Sequence, residues 1–239
     1  MIPDIEIISH CWQYHRLLTL QLSGFCLFPP RCQVLYRPCV TMDDAATRDT
    51  ILWFVPRMPP TVTIEPHVMN RRCLMRRAIG RNECCLTSKA PLVWCADCDY
   101  IATGDDLETI LNAWPKGHKL AHPGRVRSCT PARGMELVES VTEPRIVPID
   151  LTGDFPETQR KGSAIGGLQF FSGEHCREKG YCGPNPRGRL FKPADRWQPT
   201  KSDKWARAAA GEDITMPITV LYRVRHTVRS EGYKDDARL

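Results

Sequence analysis

Short apolar runs alternate with amphipathic segments along the first hundred residues of the chain. The apolar runs predict strands at IEII (5–8), QVLYR (33–37), TVTI (61–64) and APLVWCA (90–96). The segments between them predict three helices: one that ends near Gly24, one that begins at Asp43 or Asp44, and one that runs from about Asn70 to Ser88. Strands that alternate with helices in this way predict an open α/β fold with a mainly parallel sheet.

The second half of the chain has a weaker pattern. It predicts a helix at 105–113, loops to about 145, strands near 146–151 and 165–171, a helix near 203–210 and a final strand in ITVLYRVRH (218–226). No linker divides the sequence, so we expect one domain over 1–226, with a nucleotide-binding half (1–100), an acceptor-binding half (101–226) and a polar tail (227–239).

The composition is that of a globular protein, with 42% hydrophobic and 25% charged residues among 239. No apolar run approaches the length of a membrane span, and the chain begins without a signal-peptide pattern. We therefore expect the 12 cysteines to be reduced thiols in a cytoplasmic protein. The net charge of +6, with basic residues gathered between 187 and 204, agrees with a solvated basic face and also with an anionic partner such as a nucleotide diphosphate, nucleic acid or an acidic lipid surface.

The triplet Asp97-Cys98-Asp99 follows the predicted strand LVWCA, where ligands of open α/β sheets bind. Mn²⁺ and Mg²⁺ prefer carboxylate oxygens together with phosphate oxygens and water. Two carboxylates at this edge therefore predict a divalent-ion site that neutralises the charge developing on a leaving phosphate. On the helix that precedes this strand, Arg77 and Arg81 lie four residues apart and hence on one face, where they could pair with a diphosphate, hold a base-binding loop or form a plain helix salt bridge.

The stretch RRAIGRNECCLTSKAPLVWCADCDY (76–100) resembles the central segment of GT-A fold glycosyltransferases, in which an Arg-Asn pair precedes a strand that ends in Asp-x-Asp. IEIISHCWQYHRLLTLQL, AIGGLQFFSG and YRVRH are similar to other parts of that family. The resemblance implies a single-domain, Rossmann-type three-layer α/β sandwich with a mainly parallel mixed sheet. It also implies a metal-dependent transferase with Mn²⁺ or Mg²⁺ and a UDP- or GDP-sugar donor.

The resemblance assigns roles to single residues. Asp97 would lie near the ribose and the metal, Asp99 would bind the metal directly, and His226 would be a further metal ligand. Ser9, His10 and an acid at Asp43 or Asp44 would contact the nucleotide, as would Arg77 and Arg81. Gly166 and Gly167 would border the acceptor pocket, and Asp203 in KSDKWARAAA would be the general base of an inverting transfer. A helix N-cap is the competing role for Asp203.

Four other interpretations stay open at this stage. Cys95-x-x-Cys98 has the spacing of half a zinc site, which Cys84, Cys85, Cys176 and Cys182 could complete. The basic stretch with Arg187, Arg189, Lys192, Arg196, Lys201 and Lys204 also contains Phe191, Pro193 and Trp197, which predicts an anionic acceptor such as DNA, a glycan or a lipid. A DNA-modifying transferase and a non-catalytic nucleotide- or nucleic-acid-binding module are the alternative functions.

Overall fold

The computed structural model describes residues 2–159, 162–164, 166–183, 189–197 and 201–228. In the first half, the strands and helices alternate as the pattern predicts. The elements are β1 (Ile5–His10), α1 (His15–Leu27), β2 (Val34–Val40), α2 (Ala45–Phe54), β3 (Val62–Ile64), β4 (His67–Val68), α3 (Arg71–Leu74), α4 (Arg77–Thr87) and β5 (Leu92–Cys95). The predicted helix over 70–88 is therefore two helices, because the chain leaves helical geometry at Arg76, which caps α4.

The second half contains more regular structure than its sequence suggests. It consists of β6 (Tyr100–Ile101), α5 (Gly104–Ala113), β7 (Leu120–Ser128), α6 (Pro131–Glu139), β8 (Glu157–Gln159), β9 (Gln169–Ser172), α7 (Gly173–Lys179), α8 (Ser202–Ala210) and β10 (Ile214–Arg223). The predicted helices near 105–113 and 203–210 are confirmed. Thr103 and Asp106 form a reciprocal capping box that fixes the start of α5.

Two expectations for the second half are wrong. Residues 146–150 form no strand, and the segment expected to be loop up to about 145 contains β7 and α6. In β7 the Pro123-Gly124 pair hides the strand signal, although β7 pairs with β9 on one side and β10 on the other. Thr130 caps α6 and Pro131 occupies its first turn, a helix start that the sequence interpretation did not use.

The described strands form one mixed sheet in the order β3-β2-β1-β5-β9-β7-β10-β6, with β4 on β2 and β8 on β7. Strands β3, β2, β1 and β5 are parallel neighbours, whereas β9 is antiparallel to both β5 and β7. β10 runs parallel to β7, and β6 lies antiparallel at the end. The carboxyl ends of β1 and β5 consequently meet at one edge, which carries the Asp97-Cys98-Asp99 triplet.

Helices cover both faces of the sheet and bury two apolar cores. One core gathers residues of α1, α2 and α5, such as Leu18, Ile51 and Leu107, and the other gathers residues of α4 and α7, such as Ala78 and Cys176. This arrangement is the predicted three-layer α/β class with a mainly parallel mixed sheet. Across the described ranges, every helix is too short or too polar to span a bilayer.

Candidate functional site

The Asp97-Cys98-Asp99 triplet lies directly beyond the buried strand β5. Ala96 N donates to the Ile8 carbonyl of β1, and Tyr100 N donates to the Asp97 carbonyl, so that the chain turns sharply at the triplet. The middle side chain points into the protein, where Cys98 Sγ lies 3.4 Å from Ser9 Oγ. The two carboxylates therefore stand at the edge of the sheet, each beside different partners.

Two arginines of α4 hold the first carboxylate. Arg77 Nη1 donates to Asp97 Oδ1 at 2.9 Å, and Arg81 Nη2 donates to the same oxygen at 2.8 Å. Arg81 is 0% exposed, and its two terminal nitrogens also donate to the carbonyls of Ala96 and Gly166 and to the hydroxyl of Tyr181. The two arginines lie on one helical face, as their spacing predicts, and the structure directs both toward Asp97. Their pairing with a diphosphate stays a prediction.

Asp203, in the first turn of α8, joins the same arginines. Its Oδ1 lies 3.5 Å from Arg77 Nη2 and 3.8 Å from Arg81 Nη1, and it accepts from Tyr181 Oη at 2.9 Å. Its Oδ2 accepts from Gly166 N at 2.8 Å. We call Arg77, Arg81, Asp97 and Asp203 the inner cluster, in which two guanidinium groups bridge two carboxylates.

The inner cluster keeps Asp203 ionised. Burial would raise the pKa of this carboxyl, but the charges of Arg77 and Arg81, together with the bonds from Gly166 and Tyr181, lower it overall. The capping role weighed against it for α8 is not observed, since Lys201 is the N-cap residue and no side chain makes a cap hydrogen bond. The Asp203 carboxylate faces the site instead.

Gly166 and Gly167 pack directly against the triplet. A Cβ atom on Gly167 would lie 2.6 Å from Asp97 N and 2.9 Å from the Tyr100 ring. Gly166 has φ +55°, and a Cβ atom there would lie 3.1 Å from Asp97 Oδ2. Only glycine allows this approach, so the pair forms a wall of the site, whereas contact with an acceptor stays a prediction.

The second carboxylate has one arginine of its own. Asp99 Oδ2 accepts from Arg223 Nε at 3.0 Å, while Asp99 Oδ1 is buried and has no hydrogen-bond partner within the described ranges. Burial first, and then the negative charge of Asp97, raise the pKa of Asp99 to about 6, although Arg223 acts in the opposite direction. We call Asp99 and Arg223 the outer pair.

His226 lies three residues beyond Arg223, and its ring meets that of Tyr14 edge-on, with the centroids 6.1 Å apart. Over the described residues, no three His, Cys, Asp or Glu side chains are grouped closely enough to hold a metal ion. The ligand set Asp97, Asp99 and His226 therefore stays a prediction. The unpartnered buried oxygen of Asp99 is the feature that fits a cation.

Ser9 and His10, which the sequence predicts to contact the nucleotide base, are both buried but have different surroundings. Ser9 is fully buried, and its hydroxyl donates to Gln21 Oε1 at 3.4 Å, so its side chain belongs to the core. His10 packs edge-on against Trp197, and its Nε2 contacts the Leu74 carbonyl. Burial, followed by the charges of Arg81 and Arg77, lowers the pKa of His10 to about 3, so its ring is neutral.

The two candidate acids after β2 have different environments. Asp44 is buried, caps α2 by accepting from Thr47 N at 3.2 Å, and accepts from Gln13 N at 2.6 Å. Asp43 is exposed. Asp44 therefore fixes the loop after β1, and Asp43 is the acid with access to a ligand.

The sequence did not single out two of the residues that the structure places at the site, Tyr181 and Arg223, and it assigned Trp197 to a predicted acceptor surface. Tyr181 is fully buried and contacts both Arg81 and Asp203, although it stands in an unremarkable glycine-rich loop. The Trp197 ring lies 5.6 Å from the Arg77 guanidinium. Arg223 belongs to YRVRH, and only the pairing of β10 with β6 brings it to Asp99.

The structural environment gives the zinc alternative no support. Cys95 belongs to the core under α4, whereas Cys98 belongs to the opposite core under α1, so the sheet separates the two thiols. All 12 cysteines are free. The basic stretch is described only in part, because Arg187 and the side chain of Arg189 fall outside the described portion; Phe191 and Trp197 pack against the core.

No protein-family model matches the chain, and no curated protein matches it either. Solved structures do. Staphylococcus aureus TarS 1-349 in complex with UDP-GlcNAc aligns with a TM-score of 0.57 and 10% identity over 96% of this chain and 60% of TarS 1-349. Mannosyltransferase PcManGT from Pyrobaculum calidifontis, in complex with GDP-Man and Mn²⁺, aligns with a TM-score of 0.54 and 15% identity over 98% of this chain and 59% of its own.

The chain thus spans about 60% of the length of these two structures. At such low identity the likeness describes the arrangement of the backbone. The chain has the GT-A-type fold of nucleotide-sugar glycosyltransferases.

Proposed function

We propose that the chain transfers a sugar from a nucleoside diphosphate sugar, with UDP or GDP as the nucleotide, to an acceptor hydroxyl. The inner cluster carries this proposal, because it joins Asp97 after β5 to Asp203 on α8 through Arg77 and Arg81 at the carboxyl edge of the parallel strands. TarS bound to UDP-GlcNAc and PcManGT bound to GDP-Man share the fold and support this donor class. Residues 1–100 would bind the donor and residues 101–226 the acceptor.

The donor would lie across the ends of β1 and β5. Because the His10 Nε2 nitrogen contacts a carbonyl, it carries the ring proton, which leaves the buried Nδ1 as an acceptor. Such a nitrogen can accept a hydrogen bond from a base N–H group. Arg77 is partly exposed and can shift one of its bonds from a carboxylate to a phosphate oxygen.

Asp99 would be the direct ligand of a divalent ion, with Asp97 and His226 completing the set. The unpartnered Oδ1 of Asp99 is the observation that fits. When bound, Mn²⁺ or Mg²⁺ would supply Lewis-acid stabilisation of the leaving diphosphate. The Mn²⁺ complex of PcManGT supports this choice of metal.

Asp203 would accept the proton of the attacking hydroxyl, which gives an inverting transfer. Its lowered pKa ensures that the carboxylate is ionised at neutral pH, but it also weakens the carboxylate as a base. Movement of Arg77 toward the donor phosphates would remove one positive neighbour and raise the basicity of Asp203. Donor binding would thereby prepare the base for the acceptor.

Donor binding is the direct test of this function. Calorimetry with UDP, GDP and their sugars, each with Mn²⁺ or with a chelator, should show binding of one nucleotide that requires the metal. Asp99→Ala should abolish the metal-dependent binding and keep the fold, whereas Asp105→Ala, which removes an exposed carboxylate from α5, should bind as the wild type does. Undiminished metal-dependent binding by Asp99→Ala would contradict the proposed ion site.

The second candidate function is transfer of the sugar to an anionic acceptor, for example a hydroxymethylated base in DNA. Lys192, Arg196, Lys201 and Lys204 lie on segments near Trp197 and Asp203 and supply the positive charge. Binding to duplex and single-stranded DNA should then weaken by orders of magnitude between about 50 and 200 mM salt. Absence of binding at low salt would favour a neutral acceptor. Donor binding without any transfer to any acceptor would favour a non-catalytic module.

A further inference from the structure

Arg223 differs from the other arginines of the site in how it uses its donors. Its Nε donates to Asp99 Oδ2 at 3.0 Å, whereas its two terminal nitrogens make no hydrogen bond to any described residue. Its side chain is 48% exposed. Among the described residues, the guanidinium fork, which suits two oxygens of a phosphate, therefore has no hydrogen-bond partner.

The backbone positions this side chain firmly. Arg223 ends β10 and pairs with Tyr100 of β6, and Val224 N donates to the Asp99 carbonyl at 2.8 Å. The pairing of β10 with β7 shifts register twice before this point, and the buried Leu221 has φ +68°. Irregularities of this kind redirect a strand end, and a non-glycine residue keeps a left-handed φ only where its surroundings enforce it.

We propose that Arg223 is a resident counter-ion that holds Asp99 before the donor arrives and then binds the donor diphosphate through its free terminal nitrogens. This inference rests on the proposed function and extends it to a residue outside the Asp-x-Asp triplet. Arg223 is a positioning residue in the empty site and a phosphate ligand in the loaded one. The Tyr100 ring, 5.6 Å from the guanidinium carbon, supports its plane in both roles.

Opposite effects on two ligands follow from this arrangement. A divalent ion that approaches Asp99 alone must compete with Nε for Oδ2 and is repelled by the guanidinium charge. A diphosphate brings negative charge between the two cations and removes that repulsion. Arg223 therefore weakens the binding of metal alone and strengthens the binding of metal together with a nucleoside diphosphate.

The experiment measures these two effects separately in the full chain. Mn²⁺ alone is titrated by electron paramagnetic resonance, and UDP and GDP are titrated calorimetrically with saturating Mn²⁺. For Arg223→Gln we expect Mn²⁺ alone to bind about 3- to 10-fold more tightly, because a neighbouring charge is lost. We expect the diphosphate to bind about 10- to 100-fold more weakly, because charge-assisted hydrogen bonds are lost.

Two further variants separate charge from geometry. Arg225→Gln removes the same charge from an exposed position two residues along and should leave both affinities unchanged. Arg223→Lys keeps the charge but lacks the fork, so Mn²⁺ alone should bind as in the wild type while diphosphate binding stays weak. Thermal melts confirm that each variant is folded.

Two results would overturn the role of Arg223. Equal behaviour of Arg223→Gln and Arg225→Gln would show that only the net charge matters. Weaker binding of Mn²⁺ alone by Arg223→Gln would show that Arg223 merely orients Asp99 as a ligand. By contrast, a wild-type protein that binds Mn²⁺ but no nucleoside diphosphate contradicts the proposed function itself, and the Mn²⁺ titration still decides whether Arg223 competes for Asp99.

Discussion

The two carboxylates of the Asp97-Cys98-Asp99 triplet lie two residues apart but have opposite surroundings. Asp97 belongs to the inner cluster, where a fully buried arginine and a partly buried one fix it beside Asp203. Asp99 belongs to the outer pair, which has one half-exposed arginine and one carboxylate oxygen without a partner. The fully buried Arg81 makes the inner cluster a framework, in which the partly exposed Arg77 is the arginine that can change partners. The outer pair is half-exposed, and among the described residues Asp99 Oδ1 has no hydrogen-bond partner, so partners can exchange there.

The largest effect should come from removing the proposed base. Asp203→Asn should reduce transfer by about 10²–10⁴-fold and change donor affinity little, because a general base acts on the acceptor. The amide keeps the shape of the carboxylate, and its oxygen can still accept from Gly166 N. Its NH₂ replaces the oxygen beside Arg77 and Arg81, so urea denaturation must show that the variant is folded. Steady-state kinetics with calorimetry of donor binding checks this expectation. Asp105→Asn is the control, and near-normal turnover of Asp203→Asn would limit Asp203 to a structural role.

The same substitution in the two arginine environments should affect stability differently. Arg81→Met removes a buried partner of Asp97, Asp203 and Tyr181, and it should lower the free energy of unfolding by about 3–5 kcal/mol. Arg223→Met removes a half-exposed partner and should cost about 1 kcal/mol or less. Urea denaturation of both variants measures the contrast. Equal losses would contradict the distinction between framework and exchangeable pair.

Substitution of Gly167, which packs against the triplet, should have the next largest effect. Gly167→Ala places a methyl group 2.6 Å from Asp97 N, so the triplet must shift, and we expect a loss of about 1–3 kcal/mol in stability together with weaker donor binding. Gly153→Ala is a matched control, since the nearest atom to its Cβ lies 3.7 Å away. The control should change stability by about 0.5 kcal/mol or less. Normal donor binding by Gly167→Ala would show that the wall does not position the triplet.

Much of the inner cluster could be predicted from the sequence, and the physical reason is local. The spacing of Arg77 and Arg81 fixes one helical face, and the rule that ligands bind beyond the carboxyl ends of parallel strands places Asp97 at the correct edge. Local spacing could not predict Tyr181, whose contact with Arg81 joins residues 100 apart along the chain. It also missed β7, because Pro123 and Gly124 interrupt the alternation of a strand that tertiary pairing stabilises.

The outer pair was missed for a related reason. Arg223 meets Asp99 only because β10 crosses back beside β7 and then pairs with the two-residue strand β6. No periodic pattern encodes that return. β9 lies antiparallel between β5 and β7, which are distant from it along the chain. The sequence pattern predicts a strand at 165–171, but it does not predict which strands pair with it.

The two carboxylates should also differ in how they make the stability of metal-free protein depend on pH. Burial and Asp97 raise the folded-state pKa of Asp99 to about 6, above the ordinary value of 3.8. The folded state then binds the proton more tightly than the unfolded state between those values, so the stability contributed by Asp99 is present below about pH 4 and lost as the pH rises through 6. Relative to Asp99→Asn, the wild type should lose about 1–3 kcal/mol across this interval.

Asp203 should give the opposite slope. The arginines lower its folded-state pKa despite burial, so the stability contributed by its carboxylate is present above the ordinary value of 3.8 and is lost as the pH falls below it. Relative to Asp203→Asn, the wild type should therefore gain stability as the pH rises from about 3 to 5. Urea denaturation from about pH 3 to 8 in the presence of a chelator measures both slopes. Slopes of the same sign would mean that the two carboxylates share one environment, because only different surroundings can move two pKa values of the same group in opposite directions.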